Sequence, residues 1–241
     1  MKADILNIVL DAVNRGEPVI LATIISGPEN EIGRQLLIRR DGSTLGDFDN
    51  PDLVALAQSH AASLFGKEHT GALRDSEREI FLESFFPPPK LIIVGAVHVA
   101  IPLVTIAKAL DYQVILVDPR QAFATEARFP HVDALIRRWP DEALLEVGID
   151  AGTCVVILTH DPKLDDPAIK VALQFAPAYI GVLGSRKTHE KRLKRLREEG
   201  LTEEQLSRLH APIGLKIGSQ TPAEIALSIM GEIIAVRRGY A

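Results

Sequence analysis

The 241-residue sequence predicts an α/β protein in two parts: a parallel sheet with helices on both faces over residues 87–241, and a smaller mixed α+β domain over residues 1–86. Three observations predict it. Pro87-Pro88-Pro89 favours a stiff, extended segment that no helix can continue through. After it, short apolar runs alternate with helical patterns, which implies right-handed βαβ crossovers. Before it, helix and strand signals are mixed without that regularity.

In the first part, Ile5, Leu6, Val9, Leu10 and Val13 recur at helical spacing, and Val19 to Ile25 is a β-branched apolar run. Gln35 to Ile38 reads as a second strand, followed by the hairpin signal Asp41-Gly42. Asp49-Asn50-Pro51 opens a helix carrying Leu53, Leu56, Ala57 and Leu64, and residues 78–86 read as one more strand. In the second part, Leu91 to Val94 is a continuous apolar run of the kind buried in a parallel sheet. A helix follows through Leu103, Ile106, Ala107 and Leu110. Further strands fall at Gln113 to Val117, Val132 to Ile136 (the weakest), Cys154 to Leu158, and Tyr179 to Leu183. The last helix has a Thr221/Glu224 capping box, Pro222 at its first position, an Ile225/Ile229/Ile233 stripe, Arg237 and Arg238 in its last turn, and Gly239 after it. The second part is therefore expected to be Rossmann-like. No internal repeat or low-complexity tract interrupts it.

Composition narrows the function classes. A single cysteine, Cys154, excludes an intramolecular disulfide and a cysteine-rich metal site, and its place in an apolar strand makes it a core residue. The net charge of −5 argues against non-specific nucleic-acid binding. Acidic residues interrupt the opening MKADILNIVLDAV, so no signal-peptide core can be drawn there, and no run approaches the ~20 apolar residues of a membrane span. Cytoplasmic localisation is the expectation.

Ligands of a doubly wound sheet bind beyond the carboxyl ends of its strands. Those positions hold Gly95-Ala96-Val97-His98-Val99-Ala100, Asp118-Pro119-Arg120, Thr159-His160-Asp161 and Gly184-Ser185-Arg186-Lys187-Thr188, which are expected to converge on one edge. In the first loop Gly95 can make the tight turn and Ala100 permits close helix packing. However, the β-branched Val97 stands where a backbone should approach a pyrophosphate. Asp118 is at the distance from Gly95 expected of a carboxylate reading ribose hydroxyls, and Arg120 can face a phosphate or stack on a purine. Two readings stay open: an ordinary dinucleotide site, with NAD(P) its ligand, or a Rossmann sheet whose nucleotide site is altered.

Thr159-His160-Asp161 supplies a candidate catalytic pair, His160 and Asp161, in which Asp161 or Asp165 sets the imidazole tautomer. Alternatively Asp161 only caps the following segment. No metal-ligand pattern accompanies the histidine, because His98 and His160 lie on separate loops, and no metal site is expected. Gly184, Ser185, Arg186 and Lys187 form the stronger anion candidate: a small loop meets a helix start that carries two cations. The remaining charges between Lys187 and Arg197 are expected on a solvated helix face. Gly218-Ser219-Gln220-Thr221 is read as a helix cap in preference to another anion donor.

The segments PPPKLIIVGAVHVAIPLVTIAKAL, YQVILVDPR, VVILTHDPKLDDPAI, YIGVLGSRKT and GLTEEQLSRLHAPIGLKIGSQTPAEIALSIMGEIIA stand in the order found in the C-terminal Rossmann part of the XdhC/CoxI family, over about residues 87–238. The combination of THD, YIGxLGSR and a closing TPAEIAxSI helix is far more specific than a glycine-rich loop, and on it the chain resembles that family. The resemblance implies an accessory protein that binds molybdenum cofactor (molybdopterin) and assists its maturation or insertion into a molybdenum hydroxylase of the xanthine dehydrogenase or carbon monoxide dehydrogenase type. Gly95, His98, Asp118, Arg120, His160, Asp161, Gly184, Ser185, Arg186, Thr221, Pro222 and Glu224 match the family pattern. A phosphorylated pterin or dinucleotide would suit such a cleft, and a homodimer is a further expectation. The first part departs from the family. Its LIRRDGSTLGDFDNPDLVALA keeps Gly42 and Gly46 but has no cysteine and no Gly-Gly pair after Gly46. An NAD(P)-dependent oxidoreductase and an interaction-only family member stand as alternatives.

Overall fold

The computed structural model describes residues 3–65, 70–75 and 77–240. The chain forms two compact units, Met1–Pro87 and Pro88–Ala241.

The first unit contains α1 (Ala3–Asn14), β1 (Val19–Ser26), β2 (Gln35–Arg39), β3 (Thr44–Gly46), α2 (Pro51–Leu64), β4 (Gly71–Arg74) and β5 (Glu79–Phe85). Its strands make an antiparallel sheet in the order β3-β2-β1-β5-β4. The apolar run of β1 has a physical reason: β1 is the central strand and both its faces are covered. Ile20, Ala22 and Ile24 pack with Leu53, Ala57 and Ala61 of α2, while Val19 and Leu21 pack with Val9 and Ala12 of α1. Helix α2 starts where the sequence places it, with the Asn50 side chain accepting from the N–H groups of Asp52 and Leu53. The short strands β3 and β4 have no counterpart in the sequence reading. At three and four residues they are too brief to show an alternation of their own.

The second unit is the three-layer α/β structure expected. It contains β6 (Lys90–Val94), α3 (Ala100–Ala109), β7 (Gln113–Val117), β8 (Ala134–Ile136), α4 (Pro140–Val147), β9 (Thr153–Ile157), α5 (Pro162–Gln174), β10 (Tyr179–Val182), α6 (Arg186–Glu198), α7 (Glu203–Leu206), β11 (Leu209–His210) and α8 (Pro222–Arg238). The six strands are parallel in the order β11-β10-β9-β6-β7-β8, so the winding reverses between β6 and β9. Alternate side chains go to opposite layers. Leu91, Ile93, Cys154 and Val156 pack against α3 and α8, while Ile92, Val94, Val155 and Ile157 pack against α4, α5 and α6. Cys154 is fully buried in this core. Helix α8 has the anticipated capping box, and Gly239 ends it in the left-handed conformation. No described helix is long and apolar enough to cross a membrane.

The two glycines of the first-unit hairpin differ in what they tolerate. Gly42 (φ +83°) has open space around it, whereas a Cβ on Gly46 (φ +92°) would fall onto the carbonyl oxygen of Gln35 in the paired strand. Gly42→Ala is expected to cost about 1–2 kcal/mol from backbone strain alone, and Gly46→Ala a further ~1–3 kcal/mol from the collision. Urea unfolding midpoints at constant slope check this ordering, and equal midpoints for the two variants would contradict it.

Candidate functional site

Because all six strands of the second unit run in parallel, the segments that follow them share one edge. At the reversal point, Gly95 follows β6 with φ +111°, and a Cβ there would lie 2.6 Å from Thr159 Cγ2 and 3.2 Å from Thr159 N. Glycine is therefore required by the close approach of the ends of β6 and β9 as much as by its own turn. The Val97 side chain is partly buried and packs against the core cluster under α3. His98 is exposed. Helix α3 has no side-chain N-cap, and among the described residues the N–H groups of Val97, His98 and Val99 make no hydrogen bond.

Asp118 is fully buried and its oxygens are already engaged. Oδ1 accepts from Arg120 N and Nε at 2.9 Å each, and Oδ2 accepts from Arg120 Nη2 at 2.7 Å and Ala96 N at 2.8 Å. Burial pushes this carboxyl up, but the hydrogen bonds from Arg120 and from the two backbone N–H groups outweigh it and hold the group below the usual carboxylate range. Asp118 thus clamps the β6 loop to the β7 loop instead of offering a free acceptor. Arg120, stacked 4.6 Å from the Phe123 ring, is the member of the pair that reaches solvent.

The end of β9 leads into a buried polar chain. Thr159 donates its hydroxyl to Asp165, Asp165 Oδ2 accepts from Arg192 Nη2 at 3.0 Å, and the same nitrogen reaches Leu183 O at 3.1 Å. Thr159, Asp165 and Arg192 are each no more than 2% exposed. Burial pushes the Asp165 carboxyl up, against the opposing pull of Thr159 and Arg192. This arrangement corrects two sequence expectations. Arg192 does not lie on a solvated helix face but is among the most buried residues of the unit, and neither aspartate orients His160. Asp161 caps α5 through Lys163 N at 3.0 Å, Asp165 is held in its buried chain, and the exposed His160 has no hydrogen-bond partner among the described residues.

Gly184, Ser185, Arg186 and Lys187 follow β10. Ser185 caps α6, its Oγ accepting from Thr188 N at 3.2 Å. Among the described residues the N–H groups of Ser185, Arg186 and Lys187 make no hydrogen bond, and Arg186 and Lys187 form no ion pair. Two other helix starts are closed by their own carboxylates. Asp161 caps α5, and Glu224 accepts from Gln220 N and Thr221 N at 2.7 and 2.9 Å on α8, so the segment from Gly218 to Thr221 is a cap as expected. Helix α4 also lacks a side-chain cap but carries Asp141 and Glu142 in its first turn, whereas the starts of α3 and α6 hold no carboxylate, and such a start with its partial positive charge suits an anion.

Beside the α6 start lies a cleft of about 680 Å³, lined by Arg186, His189, His210, Gly214, Lys216 and Glu232. Apart from Arg186, the sequence reading singled out none of these. Glu232 Oε2 accepts from Gly214 N at 2.8 Å and from the Tyr179 hydroxyl, and the Tyr179 ring stacks on His210 with centroids 4.7 Å apart. No group of three or more His, Cys, Asp or Glu side chains suited to a metal ion occurs among the described residues.

Comparison with known proteins agrees with this architecture. The model of the XdhC Rossmann domain matches residues 91–233. A probable xanthine dehydrogenase subunit from Bacillus subtilis (strain 168) is 34% identical over 167 residues, covering 69% of this chain and 48% of that protein, so the chain spans about half the length of this relative. The molybdenum cofactor insertion chaperone PaoD of Escherichia coli (strain K12) is 23% identical over 281 aligned positions, covering 97% of this chain and 88% of that protein. Among solved structures, a xanthine dehydrogenase from Bacillus halodurans superposes with a TM-score of 0.76 at 25% identity, covering 98% of this chain and 67% of that one. With its switch-point glycine, its clamped β6 and β7 loops and a family match over most of the second unit, the chain belongs to the XdhC family.

Proposed function

We propose that the protein binds molybdenum cofactor as cargo at the carboxyl edge of the second-unit sheet and assists its delivery to a molybdenum hydroxylase of the xanthine dehydrogenase or carbon monoxide dehydrogenase type. The observation that carries this reading is the open start of α6, where three unpaired N–H groups stand beside Arg186 and Lys187. Such a start holds a phosphate through directed donors and a favourable dipole, and the cofactor's pterin carries a phosphate. The kinship with a molybdenum cofactor insertion chaperone along nearly the whole chain supports the identity of the cargo. The chain's own residues supply binding and orientation, and any chemistry at molybdenum belongs to the cargo and its recipient.

Each side chain has a distinct part. Gly184 and Ser185 shape the loop, Arg186 and Lys187 add charge, and the β6 loop with Gly95 and His98 offers a second set of free donors at the switch point. Arg120 is held beside that loop by Asp118, where it can meet a second anionic group. The exposed His160, with no hydrogen-bond partner among the described residues, fits a contact residue better than an acid–base catalyst.

Two outcomes are expected. Molybdopterin released from its binding protein should bind the purified chain, and Arg186→Ala combined with Lys187→Ala should weaken that binding by roughly ten- to hundredfold while leaving the melting temperature unchanged. Native mass spectrometry and the fluorescence of the released pterin measure both, and unaltered binding by the double variant would remove the α6 start from the site. NAD and NADP at about millimolar concentration should not raise the melting temperature, because Asp118 has no free oxygen for ribose hydroxyls. A rise of several degrees would favour the oxidoreductase reading.

A further inference from the structure

The cleft beside α6 has two chemically different walls. One carries two cations, Arg186 and Lys216, with Glu190 in the same lining, and Arg186 is the first residue of α6, whose start is open. Against the loop that opens α6 lies Arg192, 1% exposed, with Nε and Nη1 unpaired and Nη1 3.7 Å from the point where a Cβ of Gly184 would stand. Asp165 already pairs the charge of this guanidinium, but its unmet buried donors are costly, and an oxyanion seated in the loop at Gly184 would accept from them. The other wall is anionic and flat. Glu232 is fixed by the Gly214 N–H and the Tyr179 hydroxyl, both on Oε2, while Oε1 accepts no hydrogen bond among the described residues. His210, held by stacking on Tyr179, stands in the same lining.

A ligand complementary to both walls carries a phosphate at one end and, at the other, a planar ring that donates hydrogen bonds. Two adjacent donors, a ring N–H beside an exocyclic amino group, can converge on the two lone pairs of the free Oε1, and an aminopyrimidinone ring presents that edge. Adenine does not, since a ring acceptor lies next to its amino group. The cleft volume is within the ~300–1,000 Å³ typical of small-molecule sites. We propose that Glu232 reads the aminopyrimidinone edge of a phosphorylated pterin or guanine-type ligand, whose phosphate is held by the α6 start with Arg186 and Lys216. This rests on the cofactor-delivery reading and places the pterin of the cargo in the β10–β11 half of the edge.

The test uses the full chain, its Glu232→Gln variant and the Arg186→Ala/Lys216→Ala double variant. Their affinities for 6-hydroxymethylpterin with and without its phosphate, the corresponding lumazine phosphate (an oxo group in place of the amino group), GMP, AMP and molybdopterin are measured by calorimetry. Glutamine still accepts from Gly214 and Tyr179, so Glu232→Gln should melt as the parent does. It should lose roughly ten- to hundredfold in affinity for the pterin phosphate. The lumazine phosphate and AMP should bind the parent more weakly by a similar factor, and the double variant should lose the preference for phosphorylated over unphosphorylated pterin. GMP binding as tightly as the pterin phosphate supports the same chemistry with a nucleotide as its source. Equal binding of pterin and lumazine phosphates, or no effect of Glu232→Gln, overturns the inference. If molybdopterin binds the parent in that case, the delivery reading stands without it, whereas a parent that binds neither molybdopterin nor pterin phosphate loses both.

Discussion

Because Asp165 and Arg192 are both almost completely removed from water, the ion pair between them has to be held in good geometry by its neighbours, and those neighbours are the ends of two adjacent strands. Thr159, after β9, donates to the carboxylate, and Leu183, after β10, accepts from the guanidinium. A buried pair of this kind contributes little net stability against an apolar substitute, yet loss of one partner typically costs ~3–5 kcal/mol. Its consequence is positional: α5 and α6 cannot shift without breaking it, so the loops at their starts are fixed relative to each other. Asp166 and Arg195, paired at 2.8 and 3.0 Å one position along α5 and one turn along α6, extend the same brace towards solvent.

The two halves of the edge differ in the hydrogen-bonding capacity they leave unmet. On the β6–β7 side the one carboxylate that might have read a ribose is saturated by Arg120 and by backbone N–H groups, and that saturation keeps it ionised despite its burial. On the β10–β11 side the donors of the α6 start are left open and the carboxylate of Glu232 has an oxygen to spare. The sheet is an ordinary doubly wound one, but its polar groups have been redistributed so that the second half of the edge carries the unmet hydrogen-bonding capacity.

The architecture was legible in the sequence wherever apolar periodicity was strong. The runs at Leu91–Val94, Gln113–Val117 and Cys154–Leu158 correspond to β6, β7 and β9, and the cap at Thr221/Glu224 starts α8. What escaped was what periodicity does not encode. Strand β11 is two residues long, and the cleft wall at its end, from His210 to Lys216, has no pattern of its own. Arg192 was hidden by its surroundings: within RKTHEKRLKRLRE a single inward arginine is indistinguishable from its solvated neighbours. The usable signal lay elsewhere, in the Asp165-Asp166 pair set among apolar residues of α5, since carboxylates on an inward helix face require cations from a facing element. Glu232 carried an analogous signal, an acidic residue between Met230 and Ile233, both buried in α8.

Electrostatics also accounts for the difference between the helix starts. A carboxylate placed at a helix start satisfies the free N–H groups and neutralises the dipole, which stabilises the helix but bars an anion. Asp161 and Glu224 do this for α5 and α8, whereas α6 is capped by the neutral hydroxyl of Ser185 and followed by two cations, and α3 has no side-chain cap. Neutral capping leaves the stabilisation of a helix start to whatever anion arrives. At α6 this incompleteness coincides with unmet donors on the buried Arg192 beneath the same loop. A single phosphate there would accept both from the start of the helix and from the donors that Asp165 leaves unmet on Arg192.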